Sequence, residues 1–567
     1  MKKKKQVPAA RIAVVLAFVC AAGLLLFCWK RFMPTSKRMS ADEYFGSLAE
    51  GEAAVSVEDR VADERAVWID DRLYVDYSLV RTELNPRFHW DASVGLMLFT
   101  TAEEIFEIPV NSSSYTEGGE AKDAGYEIVK QDADKMYLAM EFLQQHSDFT
   151  YEILEELSRI AVEFGGVTVT EATMKKDSAV RYQGGIKSPI LTQAKKGTRV
   201  TVLEQMEKWS KVRTTDGYFG YVQNKRLTDI AEVERPSVYT GPAYTCMSVD
   251  GKLNLVWHQI DYAGMNENLA SDTGAISGVN VISPTWYFLT DNAGSVGSFA
   301  DVSYVEQAHA AGLQVWALIR NFGEGVDTTQ ILASRAARQK IQEYLVAQAD
   351  EIGFDGINID FEGIMEEAAY DYVQFMRELS ILCRKKGLVL SVDVPVPMDF
   401  SSYYDREELG VVCDYVIMMG YDEHYAGSDI VGSVASLDFE RNGIRNMLSE
   451  VPKEKVVSAI PFYTRLWYTE TLADGSTSVT SESLGMAGAW QVLEENGVQA
   501  VWDEDAEQPY GEWIDAQGRL CQIWLEDDST VAERAALVSE NDLGGIAAWV
   551  LGQEMDYVWS VISENIA

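Results

Sequence analysis

The chain has 567 residues, of which 47% are hydrophobic and 11% aromatic. This length exceeds what one compact core usually holds, so three or four domains are expected. The net charge is −40, although the first 38 residues contain nine Lys or Arg and no acidic residue. Because such an acidic body repels polyanions, composition argues against nucleic acid as a partner.

The N-terminal segment 12–29 reads IAVVLAFVCAAGLLLFCW and is apolar throughout. Its length just reaches that of a membrane-spanning helix, and basic residues flank it on both sides. A cleaved signal peptide is the alternative, but no small-x-small cleavage site follows the apolar run. We therefore predict a basic cytoplasmic tail (1–11) and a single-pass membrane anchor (12–29), with the bulk of the chain outside the cytoplasm.

Residues 30–64 are polar and acidic, which predicts a stalk. Short strand-like runs such as RLYVDYSLV then alternate with mixed segments, which predicts a small α+β stalk module over 65–160. The stretch VWIDDRLYVDYSLVRTEL resembles the repeat module of copper-amine-oxidase N-terminal stalks. That resemblance implies no copper in this chain.

Residues 165–229 contain short alternating strands broken by Gly and Asp-Gly turns, the pattern of a small β-barrel. The stretch WSKVRTTDGYFGYV resembles a bacterial SH3 domain, and the resemblance places Trp209 and Tyr221 in that barrel. Such modules often bind cell-wall peptides, and a purely spacing role is the alternative. Residues 231–242 are predicted to be a linker.

Residues 243–567 are predicted to form an α/β domain of the (β/α)8 TIM-barrel type, because eight apolar strand-like runs are mostly separated by amphipathic segments. A long insert near strands seven and eight, at about 467–526, is rich in Trp, Gly and acidic residues. It predicts a β-rich subdomain over the mouth of the barrel. The eight runs are LNLVWHQI, VNVISPTWYFL, LQVWALIRN, GINIDFE, LVLSVDVPVP, YVIMMGYDE, VVSAIPFYTR and GGIAAWVLG.

The fourth run belongs to the sequence FDGINIDFEG at 354–363. Alternate side chains of a strand share a face, so Asn358, Asp360 and Glu362 point into the barrel. Glu362 comes last, at the carboxyl end where barrel enzymes place their active sites. A structural salt-bridge cluster is the alternative. No Lys or Arg within this stretch would neutralise the acids, and uncompensated buried charge is costly, so a functional role is favoured.

These residues carry a family resemblance. FDGINIDFE resembles the D-G-x-D-x-D-x-E signature of family 18 glycoside hydrolases, the chitinase-like barrels. The similarity extends to YDEH at 421–424, to PFYTRLW and to GGIAAWVLG. The G-x-N-I-D-F-E form is most similar to the spore-germination and cortex-lytic glucosaminidases.

The resemblance implies substrate-assisted catalysis, in which the N-acetyl oxygen of the substrate attacks the anomeric carbon. Glu362 matches the acid that protonates the leaving oxygen, and Asp360 matches the residue that stabilises the acetamido nitrogen. Tyr421 matches the hydroxyl that binds the acetamide oxygen. Asp422 matches a substrate-contacting acid, and Trp549 matches the aromatic floor under the reacting sugar.

Three further residues are predicted to bind substrate: Asp355, Asn358 and Trp286. Asn358 replaces an inner Asp of the family pattern, which removes one charge and one titration and leans the assignment toward wall-lytic enzymes. Trp286 lies near a strand end and is a candidate for lining the sugar cleft. Core positions are the alternative for Trp286, Tyr421 and Trp549.

Neither a metal nor a cofactor is expected, because the five His are not clustered and the Cys residues show no CxxC pair. The sequence therefore predicts a membrane-anchored glycosidase that cleaves β-1,4-linked N-acetylglucosamine polymers such as peptidoglycan. A chitin-oligomer hydrolase is one alternative. A non-catalytic carbohydrate-binding or cell-wall scaffold protein on the same barrel is the other.

Overall fold

The computed structural model describes residues 9–154, 157–272 and 276–566. Contacts divide the chain into two units. The first contains Met1–His89, Glu107–Thr116 and Glu120–Gly241, and the second contains Trp90–Phe106, Glu117–Gly119 and Pro242–Ala567. This division differs from the predicted boundaries, since residues 90–106 group with the barrel.

Ala9–Phe32 forms one helix over the predicted membrane anchor. The side chains of residues 9–12, 15 and 24–28 in this helix lie outside the described part of the chain. Among the residues that the structure does describe, no helix is sufficiently long and apolar to cross a membrane.

The segment 30–64, predicted as a polar stalk, carries regular structure. Ser40 caps the helix Ala41–Phe45, and the strand Glu52–Val57 follows. The backbone N–H of Met39 donates to the carbonyl of Ile190 at 3.0 Å. The Tyr44 hydroxyl donates to the carbonyl of Phe219 at 2.9 Å. These contacts hold the segment against the SH3-like strands, so the stalk prediction is wrong for this part of the chain.

Three β-sheets account for most of residues 50–235. One seven-stranded sheet has the order Phe149–Leu154, Arg159–Phe164, Glu52–Val57, Arg60–Ile69, Arg72–Asp76, Lys135–Ala139 and Val129–Asp132. A five-stranded sheet runs in chain order through Phe88–Asp91, Leu96–Thr100, Ile105–Pro109, Ser114–Glu117 and Glu120–Asp123. Short helical segments lie at Tyr77–Leu79, Val80–Leu84 and Met140–Gln145.

The SH3-like strands form the third sheet, around a core that includes Val180, Val212 and Val222. Trp209 and Tyr221 both lie in its strands, as predicted. The strand order is Ile190–Ala194, Ser178–Arg181, Phe219–Gln223, Trp209–Arg213, Arg199–Gln205, Val167–Met174 and Leu227–Arg235. Asn224–Arg226 adds one 3-10 turn.

The second unit contains the predicted (β/α)8 barrel. Its eight strands pair in parallel around a closed ring, with the last strand beside the first. Each of the eight apolar runs supplies one strand, which confirms the prediction. The strands are β1 (Leu253–His258), β2 (Val281–Pro284), β3 (Gln314–Arg320), β4 (Gly356–Asp360), β5 (Val389–Pro395), β6 (Tyr415–Met419), β7 (Val456–Pro461) and β8 (Gly545–Trp549).

Helices surround this ring, and polar caps define several of their ends. Ser334 accepts a hydrogen bond from Ala337 N at the start of one helix, and Gly353 ends that helix with a φ of 88°. A short antiparallel pair, Tyr287–Leu289 and Val296–Ser298, follows β2. The helices are Leu269–Asp272, Val302–Ala310, Thr328–Ala333, Arg335–Ile352, Ala369–Lys386, Arg406–Val412, Leu437–Met447, Asp528–Glu540 and Val558–Asn565.

The predicted β-rich insert forms a five-stranded antiparallel sheet with one helix, Met486–Glu495. It begins at Tyr463, slightly before the predicted start at 467. Buried Arg534 donates to Glu440 at 2.7 Å and to Glu526 at 2.9 Å. The strands, in sheet order, are Thr477–Gly485, Tyr463–Thr471, Leu520–Trp524, Gln508–Ile514 and Val501–Asp503.

Residues 90–106 attach to the outside of the barrel through buried polar contacts. Arg338 Nη2 donates to Asp91 at 2.6 Å, and Arg338 Nε donates to Glu378 at 3.2 Å. Gln374 donates to Thr100 at 3.0 Å. Because Arg338 is completely buried, these partners neutralise and satisfy a charge that water cannot reach.

Candidate active site

A cavity of about 560 Å³ opens at the carboxyl end of the barrel. The ends of β4, β5 and β6 contribute most of its polar wall, and β1, β8 and the insert contribute aromatic side chains. The residues that carry its chemistry are Asp360, Glu362, Asp393, Tyr421, Asp422 and Tyr463. Five of the eight residues predicted for the site line this cavity: Asp360, Glu362, Tyr421, Asp422 and Trp549.

Glu362 follows β4 and is held through its backbone. Glu362 N–H donates to Asn321 Oδ1 at 3.0 Å, and Asn321 Nδ2 donates back to the Glu362 carbonyl at 2.7 Å. Asn321 Nδ2 also donates to Thr328 at 2.9 Å. This clamp fixes the main chain at the point where the side chain leaves it.

The Glu362 carboxyl meets solvent through the cavity, yet the surrounding walls reduce its hydration. Burial raises its pKa above the ordinary value, and the negative charge of Asp422 raises it further. A carboxyl with a raised pKa keeps its proton closer to neutral pH. It is therefore suited to donate that proton to a leaving group.

Asp360 lies on β4 between a cation and another acid. Its register partner on β3 is Arg320. On the other side, Ile359 pairs with Val392, so the next residue of β5, Asp393, stands beside Asp360. Burial raises the pKa of Asp360 to about 8, Glu362 adds to the rise, and Arg320 opposes it.

Tyr421 and Asp422 follow β6. Burial raises the pKa of Tyr421 well above its ordinary value, so its hydroxyl remains a hydrogen-bond donor at neutral pH. Asp422 has a φ of 60°, which Asp tolerates better than most residues. It accepts a hydrogen bond from the Tyr463 hydroxyl at 2.6 Å. The insert thus orients an acid of the barrel.

Trp549, at the end of β8, forms part of the cavity wall beside Trp257 of β1. Their ring centroids are 5.8 Å apart and the planes are inclined by 56°. A partly exposed indole in this position offers an apolar surface on which a sugar ring can stack.

Asn358 lies inside the barrel, fully buried, and does not reach the cavity. Its Oδ1 accepts from Trp257 Nε1 at 2.9 Å, and its Nδ2 donates to Ser391 at 3.0 Å and to Asp393 at 2.8 Å. The predicted contact with substrate is therefore wrong for Asn358. Its contacts position other side chains.

Two more substrate-binding predictions are wrong. Asp355 precedes β4 at the amino end of the strand, where it contacts His309 Nε2 and accepts from Val315 N, both at 2.8 Å. Trp286 is completely buried and donates to Asn266 at 2.9 Å. Asp355 faces the wrong end of the barrel, and Trp286 belongs to the core.

The sequence analysis missed Asp393, Trp257 and Tyr463. An acid inside the apolar run LVLSVDVPVP carries the same signal that singled out Asp360, so Asp393 could have been found. Tyr463 could not, because its role depends on where the insert begins.

Residues 247–554 match the family model described as glycosyl hydrolases family 18, over more than half of the chain. The chain belongs to glycosyl hydrolase family 18. Residues 177–228 match the bacterial SH3 domain, which confirms that part of the prediction. The eight-stranded barrel is thus a family 18 barrel, of the chitinase-like glycosidase family.

Two curated relatives come from Bacillus subtilis. The uncharacterized glycosylase YvbX is 24% identical over 299 residues, which cover 51% of this chain and 85% of that protein. The cortical fragment-lytic enzyme is 25% identical over 241 residues, or 41% of this chain. The match spans 55% of the length of that enzyme.

A solved structure supports the barrel fold. The crystal structure of a chitinase from Chromobacterium violaceum superimposes with a TM-score of 0.50 and 24% identity. The superposition covers 56% of this chain and 99% of that structure. At this identity the likeness establishes the family 18 fold alone.

Proposed function

We propose that this family 18 protein hydrolyses β-1,4-linked N-acetylglucosamine-containing glycans of the peptidoglycan type, by substrate-assisted catalysis with retention. The observation that carries the proposal is that Asp360, Glu362 and Tyr421 open onto one cavity. Similarity to a cortical fragment-lytic enzyme favours a wall glycan as the substrate.

In the proposed first step, the acetamido oxygen of the sugar attacks its anomeric carbon. Glu362 gives its proton to the leaving glycosidic oxygen, so one bond to the carbon forms as the other breaks. Asp360 accepts a hydrogen bond from the acetamido N–H as positive charge develops there. Tyr421 donates to the acetamide oxygen, and Trp549 stacks beneath the sugar.

In the proposed second step, water attacks the anomeric carbon from the face that the leaving group vacated. Glu362, now ionised, accepts a proton from this water, and the acetamide is restored. Two inversions at one carbon give overall retention. The mechanism requires an N-acetyl group on the reacting sugar, so fully deacetylated glycans should remain intact.

The test compares the full-length protein with Glu362→Gln on purified peptidoglycan and on N-acetylglucosamine oligomers. Wild type should release reducing ends and the variant should not. Glu366→Gln, in the same loop but outside the cavity, is the matched control and should keep activity. Equal release by wild type and Glu362→Gln would contradict the proposal.

The two alternatives predict different results in this assay. A chitin-oligomer hydrolase would cut the oligomers but not peptidoglycan. A non-catalytic carbohydrate-binding or scaffold protein would retain glycan without releasing ends. The presence of Glu362 favours an enzyme over a non-catalytic carbohydrate-binding or scaffold protein.

We further propose that the SH3-like domain binds a cell-wall peptide and that the bulk of the chain lies outside the cytoplasm, where such a wall is found. The family match at 177–228 supports the first part. Protease added to intact cells should then digest the barrel. Complete protection of the barrel in intact cells, with digestion after lysis, would refute the location.

A further inference from the structure

Asp393 is a further acid of the cavity, on the strand next to that of Asp360. It lies on β5, is 2% exposed, and lines the cavity with Asp360. The register of β4 and β5 places the two side by side, and neighbouring strands are about 4.8 Å apart. Two buried carboxyl groups on neighbouring strands repel each other when both are ionised.

Asn358 fixes one oxygen of Asp393. The indole N–H of Trp257 can only donate, so the Asn358 atom that faces it at 2.9 Å must be the amide oxygen. The amide nitrogen therefore points to Asp393 Oδ1, at 2.8 Å. Asp393 Oδ1 accepts this bond in either protonation state, which leaves Oδ2 as the oxygen able to carry a proton.

The charges that face this pair favour at least one proton on it, because acids outnumber the cation Arg320. Arg320, from β3, is the cation in register with Asp360, and it also pairs with Asp261 at 3.9 Å. Glu362 adds a further acid beyond β4, and Tyr372 and Tyr421 face the pair with neutral hydroxyls. One proton on the pair leaves one negative charge opposite Arg320.

We propose that Asp393 is the proton-holding partner of Asp360. Its Oδ2 carries the shared proton and donates it as a hydrogen bond to the Asp360 carboxylate, which is thereby oriented toward the acetamido N–H of the substrate. Asp393 is a positioning residue, since it acts through Asp360. This inference rests on the glycosidase activity proposed above and adds the group that controls protonation of Asp360.

The electrostatics agree with this geometry. Burial raises the pKa of Asp393 well above its ordinary value, the neighbouring Asp360 raises it further, and the bond from Asn358 opposes the rise. Burial also raises the pKa of Asp360 to about 8. The pair therefore binds at least one proton at neutral pH.

The test compares Asp393→Asn with Asp393→Leu in the full-length protein. Asn imitates the protonated acid, since its oxygen can accept from Asn358 and its N–H can donate to Asp360. Asp393→Asn should keep most of kcat, whereas Asp393→Leu should lose about 100-fold in kcat with little change in KM. If the Leu variant does not fold, Asp393→Ala takes its place.

The pH profile separates this role from a merely structural one. In wild type the fall of kcat/KM at high pH includes loss of the last proton of the pair as well as that of Glu362. An amide has no such proton, so the basic limb of Asp393→Asn should follow one ionisation rather than two. Equal loss in Asn and Leu variants, or full activity in both, would overturn the proposal.

A second measurement does not depend on activity. An Asp carboxyl in the unfolded chain loses its proton near its ordinary pKa of 3.8, whereas Asp360 in the folded protein keeps its proton up to about pH 8. Because the folded state binds more protons in this range, the free energy of unfolding should fall as pH rises from about 4 to about 8. Asp393→Asn should weaken this dependence. An unchanged dependence overturns the role of Asp393, whereas an inactive wild type with a weakened dependence in the variant refutes only the proposed enzyme.

Discussion

At the scale of single residues, the cavity brings several acidic side chains together, and neighbouring groups set the position and the protonation of each one. Glu362 is held by its backbone, Asp422 by the Tyr463 hydroxyl and Asp393 by Asn358. Each of these bonds comes from a different strand or from the insert. The protonation state of one acid therefore depends on groups that are distant in sequence.

Asp422→Asn should lower the pKa of Glu362, because the charge of Asp422 helps to raise it. The amide oxygen can still accept from Tyr463. Glu362 would lose its proton at lower pH, so the basic limb of kcat/KM should move toward lower pH by a fraction of a unit. Kinetics across pH 5–9 measure the shift. Asp429→Asn, exposed in the same loop, is the control and should leave the limb in place.

Asn358→Asp should place a second carboxyl against Asp393, where an N–H donor now lies at 2.8 Å. The new acid must bind a proton in the folded state, so stability should fall as pH rises, by about 1–3 kcal/mol near neutral pH. The acidic limb of the pH–rate curve should change as well. Denaturation at several pH values and a rate profile check both effects, and an unchanged acidic limb would contradict this view.

Sequence alternation found the working face of β4 because the strand has one apolar and one polar face. Ile357 and Ile359 pack in the outer core, and Phe361 stacks on Phe375 at 5.6 Å. The same alternation could not judge Asp355, which precedes the strand. It also failed at Trp286, because the register against β3 shifts by one residue between β2 and the short strand Tyr287–Leu289.

At the scale of elements, the end of β4 depends on the end of β3. Asn321 lies just after β3, and its side chain forms hydrogen bonds with both the backbone N–H and the backbone carbonyl of Glu362. These two bonds take the place of the backbone hydrogen bonds that a neighbouring strand would make. Two separate strand ends are thereby locked into one edge. The position of the proposed acid is thus a property of the β3–β4 pair.

Asn321→Ala should release this edge. The loss of buried hydrogen bonds should cost about 1–3 kcal/mol of unfolding free energy. Displacement of Glu362 should lower kcat by roughly 10-fold or more. Thr328→Val removes only one partner of Asn321 and is the control for the clamp. Equal kcat in wild type and Asn321→Ala would show that the clamp is not needed.

The eight barrel strands were predictable because parallel strands buried on both faces read as continuous apolar runs. The insert was predicted as β-rich but not in its start. Its first strand leaves β7 at Tyr463, and the hydroxyl of this residue bonds Asp422. The composition of the insert predicts that a subdomain exists. The residue at which its first strand begins determines which side chain reaches the cavity, and composition does not predict that residue.

At the scale of the whole molecule, the barrel unit includes residues 90–106, which precede it by more than a hundred residues. The sequence analysis assigned this segment to a stalk module, because strand-like patterns predict individual strands but not the domain against which they pack. The hydrogen bond between Asp91 and Arg338 joins this segment to the barrel unit. The two residues are too far apart in sequence for a local hydrophobic pattern to predict their contact.

Arg338→Met should leave Asp91 and Glu378 buried without their cation. Removal of one partner from a buried ion pair should cost about 3–5 kcal/mol of unfolding free energy. Urea denaturation measures the loss. Arg441→Met breaks the more exposed pair with Glu507 and should cost about 0–1 kcal/mol. Similar losses in both variants would show that burial of Arg338 has no special weight.

The Asp91–Arg338 bond can form only after the ribosome has synthesised both residues. The two residues are 247 positions apart. At about 5–20 residues per second, a ribosome needs about 12–50 seconds to make the chain between them. For that interval the nascent segment 90–106 lacks its docking helix, and it is then that a chaperone or a protease would meet it.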